Sequence, residues 1–135
     1  MKSIEQLISI AKKARVRAYV PYSHYSVGAA LLAKDGTVYE GANVEIVNGT
    51  SNCAERTAIF YAVSQGQRDF EKIVVVTKDG SGTPCGFCRQ TMVEFCDNDF
   101  IVIVSDIKGN YQEFKLCELL PNAFSPSSLK TKNRK

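Results

Sequence analysis

The spacing of apolar residues along the chain predicts helices that alternate with short strands. Near the start, apolar residues recur at helical intervals and predict an amphipathic helix over residues 3–19. Ser3 and Gln6 have the spacing of a capping box at its beginning, and Pro21 ends it. Further helices are predicted at 53–66, from about Pro84 onward, and at 116–120.

The apolar runs between these helices predict five strands. They lie at 26–33, 37–44, 73–76, 100–104 and 111–114. The run 27–32 is apolar at successive positions, so its strand is expected inside the sheet with both faces covered. Only residues 105–110 separate the last two strands, whereas a parallel pair needs a crossover of about a dozen residues, so these strands must pair antiparallel. The order of elements predicts an α/β fold with three layers, α/β/α, around a five-stranded mixed sheet.

The length of 135 residues fits one domain, which is expected over residues 1–126. Residues 127–135 are polar and basic, lack periodicity, and are expected to form a flexible tail. Basic side chains among the last six residues supply more positive charge than the formal net charge of +3, so the rest of the chain is close to neutral. A near-neutral body offers no electrostatic surface for nucleic acid, and no nucleic-acid partner is expected.

The N-terminal segment alternates charged and apolar residues from Lys2 to Arg17 and contains no long apolar run. This pattern argues against a signal peptide and a membrane span, so a cytoplasmic location without a membrane partner is expected. The chain has five cysteines, which in a reducing compartment serve more often as metal ligands than in disulfides. Cys96 and Cys117 have apolar neighbours and are expected to be small buried hydrophobes.

The other three cysteines have the spacing of a zinc site. Cys85 and Cys88 form a Cys-x-x-Cys pair after Pro84, and Cys53 lies two residues before Glu55. Three thiolates leave one position of a tetrahedral zinc ion open for water, whereas a structural zinc site usually has four protein ligands. Both predicted helices begin at these cysteines, where the helix N-terminus favours the thiolate. The pattern therefore predicts a catalytic zinc centre.

The motifs at this centre resemble those of the homotetrameric, zinc-dependent cytidine deaminases. They are Asn43-x-Glu45, the run Cys-Ala-Glu-Arg-Thr from Cys53, and the run Pro-Cys-Gly-x-Cys-Arg-Gln from Pro84. The resemblance covers nearly the whole chain and implies a cytidine deaminase-like fold, one Zn²⁺ per subunit, and a homotetramer whose subunits share active sites. It also implies hydrolytic deamination of cytidine and deoxycytidine to uridine and deoxyuridine in pyrimidine salvage, with release of ammonia.

The resemblance further implies how the reaction would proceed. Zinc lowers the pKa of its bound water towards about 7 and gives a zinc-bound hydroxide. Glu55 would be the proton shuttle, which protonates ring N3, deprotonates the water and protonates the departing amine. Its alternative role is that of a fourth zinc ligand, which would close the open position. Arg56 would hydrogen-bond the ligand sulfurs and withdraw charge from them, and its alternative is a surface helix arginine.

For the nucleoside, the resemblance implies contacts from four places in the chain. Asn43 and Glu45 alternate at the end of the second strand and would hold the ribose as donor and acceptor. Tyr25 stands where the family has an aromatic residue that packs on the nucleoside, and the Ala54 N–H would bond the pyrimidine O2. Phe124 resembles a phenylalanine that reaches into the pocket of a neighbouring subunit, and packing within its own chain is the alternative.

Two loops bear on the identity of the substrate. The segment 46–52 lacks the tyrosine that family members usually carry there and is about one residue short, so the sugar preference and the subunit contacts stay open. A deaminase of a modified cytosine nucleoside such as blasticidin S is therefore the alternative. The short loop 105–110 favours a free nucleoside, because the related tRNA and nucleotide deaminases carry a helix there. The remaining hypotheses are a protein that binds zinc only to fold and an RNA or DNA editor, and the near-neutral charge argues against the editor.

Overall fold

The computed structural model describes residues 1–129, and in this range the strands form one five-stranded mixed sheet. The strands are β1 (Gly28–Ala33), β2 (Val38–Ala42), β3 (Phe70–Val76), β4 (Ile101–Ser105) and β5 (Tyr111–Lys115). Their order across the sheet is β2-β1-β3-β4-β5, in which β3 and β4 are parallel and the other neighbours are antiparallel. The helices are α1 (Ile4–Arg15), α2 (Ala54–Ser64), α3 (Gly86–Phe95), α4 (Leu116–Leu119) and α5 (Pro126–Leu129).

The most apolar strands occupy the interior of the sheet. Every residue of β1 is buried, and this strand pairs with β2 on one side and with β3 on the other. The apolar half of β3, from Ile73 to Val76, is fully buried as well. The predicted position of the first strand inside the sheet is therefore confirmed. The antiparallel hairpin of β4 and β5 is confirmed too, since Val104 pairs with Gln112.

Helices cover both faces of the sheet. On one face, Leu7 and Ala11 of α1 pack in a cluster with Leu32 of β1. On the other face, α2 contributes Ile59 and α3 contributes Met92 to a larger cluster with the opposite side chains of the same strands. Full burial of each large apolar side chain in these clusters contributes roughly 1.5–3 kcal/mol to folding. The predicted three-layer α/β/α arrangement is confirmed.

The close contact between α2 and β2 depends on Gly41. A Cβ atom at this position would clash with the carbonyl oxygen of Ala54 and would lie 2.6 Å from the amide nitrogen of Ala58. Any larger residue would push the first turn of α2 away from the sheet. Because Cys53 and Glu55 lie at the start of α2, Gly41 sets how deeply these two residues sit in the fold.

The first helix is shorter than the apolar spacing predicts. It begins after Ser3, which forms the predicted capping box with Gln6, but it ends at Arg15 instead of residue 19. Tyr19 already has extended backbone and forms an isolated bridge with Val44. The helical spacing continues past Arg15, but this long-range pairing removes the Tyr19 backbone from the helix.

The last described residues form a short helix. Residues 127–129, expected in a flexible tail, belong to the single turn of α5. Pro126 suits the first helical position because it has no N–H to satisfy there. The rest of the predicted tail, residues 130–135, lies outside the described residues, and the boundary of the domain at residue 126 stays a prediction. Across residues 1–129, no helix combines the length and the apolar character that a membrane crossing needs.

Candidate active site

The three motif cysteines lie together where two helices begin. Cys53 is the N-cap residue of α2, Cys85 is the N-cap residue of α3, and Cys88 lies in the first turn of α3. The sulfur of Cys85 is 3.7 Å from that of Cys53 and 3.5 Å from that of Cys88. All three sulfurs lie within 4.8 Å of one another. Residues 32 positions apart in the chain thus form one cluster of possible metal ligands.

The geometry of this cluster fits a single zinc ion. Tetrahedral thiolate ligands with Zn–S bonds of about 2.3 Å have sulfurs roughly 3.8 Å apart, close to the separations found here. Neither Cys53 nor Cys85 uses its side chain to cap its helix, so both sulfurs are free to face the cluster. In the described part of the chain, the group of mutually close ligand atoms consists of these sulfurs and leaves out Glu55. The donor set is therefore a three-thiolate site with room for one more ligand.

Charge is distributed unequally over the cysteines. A hydrogen bond from the Cys88 thiol, helped by another from Arg56, lowers the pKa of Cys53 to about 5. The same hydrogen bond, together with burial, raises the pKa of Cys88 well above its ordinary value. Cysteine binds zinc as the thiolate, so protons held by this cluster must leave when zinc binds, and zinc affinity therefore depends on pH.

Arg56 lies beside the ligand sulfurs. One of its Nη atoms is 3.5 Å from the Cys53 sulfur, and its guanidinium carbon is 5.6 Å from the centre of the Phe87 ring. Hydrogen bonds to the cysteine sulfurs raise the pKa of this arginine, led by the bond to Cys53. Its Nε atom is buried and has no hydrogen-bond partner among the described residues. The positive charge of Arg56 is thus placed where it stabilises negative sulfur.

Glu55 is a buried carboxyl group next to the cysteine cluster. It lies in the first turn of α2, and only 4% of its surface is exposed. Burial raises its pKa to about 7, and the negative charge of Cys53 adds to the effect. At neutral pH such a group exists in both protonation states, which suits an acid that must also act as a base.

A cavity of about 290 Å³ joins the cysteines to the predicted nucleoside contacts. Its lining includes the predicted residues Tyr25, Asn43, Glu45, Ala54 and Glu55. Two of the clustered cysteines, Cys53 and Cys85, line it as well. This volume is near the lower limit of ordinary small-molecule sites. The structure therefore brings seven of the sequence-predicted residues to one cavity, although they come from four separate segments of the chain.

The side chains of Asn43 and Glu45 also hold the cavity wall. Asn43 accepts a hydrogen bond from the Val27 N–H and donates one to the Tyr25 carbonyl, each at 2.9 Å. One carboxylate oxygen of Glu45 accepts hydrogen bonds from the backbone N–H groups of Tyr22 and Ser23, both at 3.1 Å. A hydrogen bond with the Ser23 side chain has the largest effect in lowering the pKa of Glu45, and the two backbone bonds lower it further. No local pattern in the sequence predicts these hydrogen bonds, because they join residues more than 15 positions apart.

Phe124 does not line the cavity of its own chain. It is 63% exposed, and its carbonyl oxygen accepts a hydrogen bond from the side chain of Gln90 on α3. The structure therefore does not pack this ring inside its own subunit, which was the alternative considered from the sequence. Thr77 and Thr83 do line the cavity, although no motif pointed to them.

Comparison with known proteins identifies the family. A family model described as the cytidine and deoxycytidylate deaminase zinc-binding region matches residues 1–104. The cytidine deaminase of Sporosarcina psychrophila is 50% identical over 128 residues, which cover 93% of this chain and 94% of that relative. The chain belongs to the cytidine deaminase family. It is therefore a hydrolytic deaminase with a zinc-binding region, and the cysteine cluster is the place where one Zn²⁺ fits.

A solved structure from this cytidine deaminase family agrees with the fold. The crystal structure of cytidine deaminase from Burkholderia pseudomallei matches with a TM-score of 0.88 at 42% identity, over 91% of this chain and 100% of that one. The predicted cytidine deaminase-like fold is confirmed. A blasticidin-S deaminase from Bacillus cereus is also similar, but at 31% identity over 126 residues, covering 86% of this chain and 88% of that relative. The alternative substrate therefore has the weaker support.

Proposed function

We propose that this protein deaminates cytidine and deoxycytidine hydrolytically, in pyrimidine salvage. The reaction replaces the amino group on C4 of the cytosine ring with oxygen from water, releases ammonia, and gives uridine or deoxyuridine. The observation that carries the proposal is a buried carboxyl group, that of Glu55, beside three clustered cysteines in one cavity with Asn43 and Glu45. Proton transfer, activation of water and recognition of the sugar would each have a group in reach.

Glu55 would carry the protons. A zinc ion held by the three cysteines would supply the nucleophile by lowering the pKa of a water molecule towards about 7. Glu55 would take one proton from that water and give it to ring N3, and would then take the second proton of the attacking oxygen and give it to the departing amine. Its pKa of about 7 supports this role, because a carboxyl group at its ordinary pKa would hold few protons at neutral pH.

Arg56 would adjust the charge of the ligand sulfurs. Three thiolates place more negative charge on a metal than imidazole ligands would, and this weakens the metal as a Lewis acid. The hydrogen bond from Arg56 to Cys53 withdraws part of that charge. Arg56 would therefore raise the reactivity of the centre without touching the substrate.

The remaining cavity residues would bind and orient the nucleoside. Asn43 and Glu45 would hold the ribose hydroxyls, and hydrogen bonds within residues 1–129 use only one of the two Glu45 carboxylate oxygens. The backbone N–H of Ala54, at the start of α2, would donate to the pyrimidine O2. The Tyr25 ring would pack against the nucleoside at the cavity wall.

Turnover with a defined substrate tests this proposal. Purified protein with measured zinc content should convert cytidine and deoxycytidine, which is followed as the loss of their ultraviolet absorbance and the release of ammonia. Blasticidin S, assayed in parallel, should be a poor substrate. If blasticidin S were consumed and cytidine left untouched, the alternative would replace the main proposal. A zinc-loaded protein that turns over none of the three would be a zinc-binding protein without this activity.

We also propose that the protein assembles as a homotetramer with shared active sites. A second cavity of about 490 Å³ adjoins the cysteines and is lined by residues that include Ser51, Arg56 and Phe87. Phe87 is 75% exposed and Phe124 is 63% exposed, although both rings are apolar. These features support an arrangement in which a neighbouring chain covers this site. Phe124 of this chain would in turn enter the site of a neighbouring chain.

Light scattering coupled to size exclusion tests the assembly. A mass near four times 14.9 kDa is expected for the zinc-loaded protein. A strict monomer with full activity would contradict the shared site.

A cytoplasmic location fits the same function, because three thiols that must stay reduced need reducing surroundings. Deaminase activity in the membrane or secreted fraction of the source cells, and not in the cytosolic fraction, would contradict that location.

A further inference from the structure

Tyr25 forms part of the cavity wall but is not held by burial. Tyr25 is 37% exposed. The preceding residue, His24, has a positive φ of 58°, which is unfavourable for a residue with a side chain. The backbone of Tyr25 is fixed, because its carbonyl accepts from Asn43 and its N–H donates to the Ser23 hydroxyl at 3.0 Å. Backbone bonds leave the ring free to rotate, so the position of the ring requires another contact.

Asp79 supplies that contact. The Tyr25 hydroxyl donates a hydrogen bond to Asp79 Oδ1 at 3.2 Å. The same oxygen accepts from the Ser81 hydroxyl at 2.7 Å and from the Ser81 N–H at 3.1 Å. The bonds from Ser81, the hydroxyl first, lower the pKa of Asp79, so this acceptor is ionised at neutral pH. An ionised acceptor makes a stronger hydrogen bond than a neutral one.

The loop that carries Asp79 is itself anchored to the sheet. The Gly80 N–H donates to the hydroxyl of buried Thr77 at 2.9 Å, and Asp79 forms an isolated bridge with Asp106, just after β4. The same loop leads on to Thr83 on the cavity wall and to the metal-ligating position Cys85. The hydrogen bond from Tyr25 therefore joins the outer cavity wall to the loop that leads into α3.

We propose that Asp79 is a positioning residue, which holds the Tyr25 ring against the nucleoside through its hydrogen bond to the Tyr25 hydroxyl. Asp79 does not line the cavity and acts through Tyr25 alone. This inference rests on the proposed deaminase activity, for which the orientation of the base relative to Glu55 matters. Loss of the bond should weaken substrate binding and leave the chemical step nearly unchanged.

A double-mutant cycle tests the inference, with wild-type protein, Tyr25→Phe, Asp79→Ala and the double variant. For cytidine, each single variant is expected to raise KM about three- to tenfold and to change kcat less than twofold, which is the range of one exposed hydrogen bond. The double variant should be no worse than the worse single variant, because both changes remove the same bond. Zinc content should stay at one per subunit throughout.

Ser81→Ala and Asp79→Asn are the matched controls. Ser81→Ala removes one bond to Asp79 but leaves the Tyr25 contact, so KM should stay near the wild-type value. Asp79→Asn keeps an oxygen acceptor of the same shape and should restore KM to within about twofold of wild type. If Asp79→Ala does not fold, Tyr25→Phe, which removes the same bond, compared with Asp79→Asn still tests the inference. The inference would be overturned if the increases in KM from Tyr25→Phe and Asp79→Ala multiplied in the double variant. It would also be overturned if Ser81→Ala raised KM as much as Asp79→Ala does. Wild-type protein that fails to deaminate cytidine would instead contradict the proposed function.

Discussion

Two regions of the candidate active site differ in how the chain holds them. The metal floor, defined as Cys53, Glu55, Cys85 and Cys88, lies at the starts of α2 and α3. Its Glu55 and Cys88 are 4% and 0% exposed, Cys53 is half-buried, and Cys85 alone is exposed. The outer rim, defined as Tyr25 and Phe124, is 37% and 63% exposed and lies in loops. The metal floor cannot move without disturbing the packing of two core helices, whereas the outer rim is held by a few hydrogen bonds.

This difference implies that the chemical step and the selectivity for substrate depend on different parts of the site. Catalytic groups must be held to within a fraction of an ångström, and helices packed on a sheet provide that precision. Loops tolerate substitution and insertion with little effect on the core. We therefore expect changes in the metal floor to abolish the chemistry, and changes in the outer rim to alter substrate affinity.

Loss of a zinc ligand should have the largest effect. Cys88→Ala is expected to lower zinc content well below one per subunit and to lower kcat/KM about 10⁴-fold or more, because no activated water is then available. Zinc content by elemental analysis and turnover of cytidine measure the two effects. Cys117→Ala, at a half-buried cysteine outside the cluster, should keep both near wild type. Full activity in Cys88→Ala would show that the metal floor is not the catalytic centre.

Loss of the proton shuttle should stop turnover without releasing the metal. Glu55→Gln keeps the shape of the side chain but can neither accept nor donate the required protons, so kcat should fall about 10²–10⁴-fold. Zinc content should remain near one per subunit, since Glu55 is not part of the ligand cluster. A variant that loses zinc along with activity would instead indicate that Glu55 is a metal ligand.

The same substitution has a predicted effect on the stability of the zinc-free protein. Burial raises the folded-state pKa of Glu55 from 4.5 to about 7, so an ionised Glu55 destabilises the folded state. This cost grows from about pH 4.5 upward and is complete above about pH 7. Glu55→Gln should therefore stabilise the zinc-free protein at pH 8 by up to about 3 kcal/mol, and the gain should shrink as the pH falls towards 5. Urea unfolding at several pH values measures it. A gain that does not depend on pH would contradict the assigned burial effect.

Loss of the charge beside the sulfurs should have an intermediate effect. Arg56→Gln removes the hydrogen bond to Cys53, and zinc affinity or kcat is expected to fall about 10–100-fold. Competition with a chelator gives the zinc affinity, and cytidine turnover gives kcat. Arg17→Gln, at an exposed ion pair with Glu40, is the matched control and should change neither quantity. Equal behaviour of the two variants would make Arg56 an ordinary surface arginine.

The metal floor was more predictable from the sequence than the outer rim, for a physical reason. Cys85 and Cys88 are three residues apart, so their relative positions follow from the geometry of one helical turn. The resemblance of the motifs, and not local geometry, predicted that Cys53 and Glu55 join them, since Cys53 and Cys85 are 32 positions apart. The hydrogen bond from Tyr25 to Asp79 joins residues 54 positions apart, and no local pattern encodes it. The outer rim depends on such long-range contacts.

The same reason explains the errors in the predicted elements. Apolar spacing predicted the cores of the helices and strands, because the spacing reflects which side chains are buried. It failed at the end of α1, where the pairing of Tyr19 with Val44 ends the helix from a distance. It also missed α5, for which Pro126 at the first helical position was a local signal that the basic composition of the tail obscured.

Loss of the exposed ring in the outer rim should have the smallest effect. Phe124→Ala is expected to raise KM for cytidine about three- to tenfold and to leave kcat and zinc content near wild type, because the ring would complete the pocket of a neighbouring subunit without taking part in the reaction. Steady-state kinetics and light scattering on the same samples measure the effect and the assembly. Val16→Ala, at an apolar residue that is 83% exposed next to α1 on the opposite layer, should change neither. A wild-type protein that is a monomer, together with a wild-type KM for Phe124→Ala, would show that the active site is formed by one chain alone. The metal floor and the outer rim would then differ in exposure, and no site would be shared between subunits.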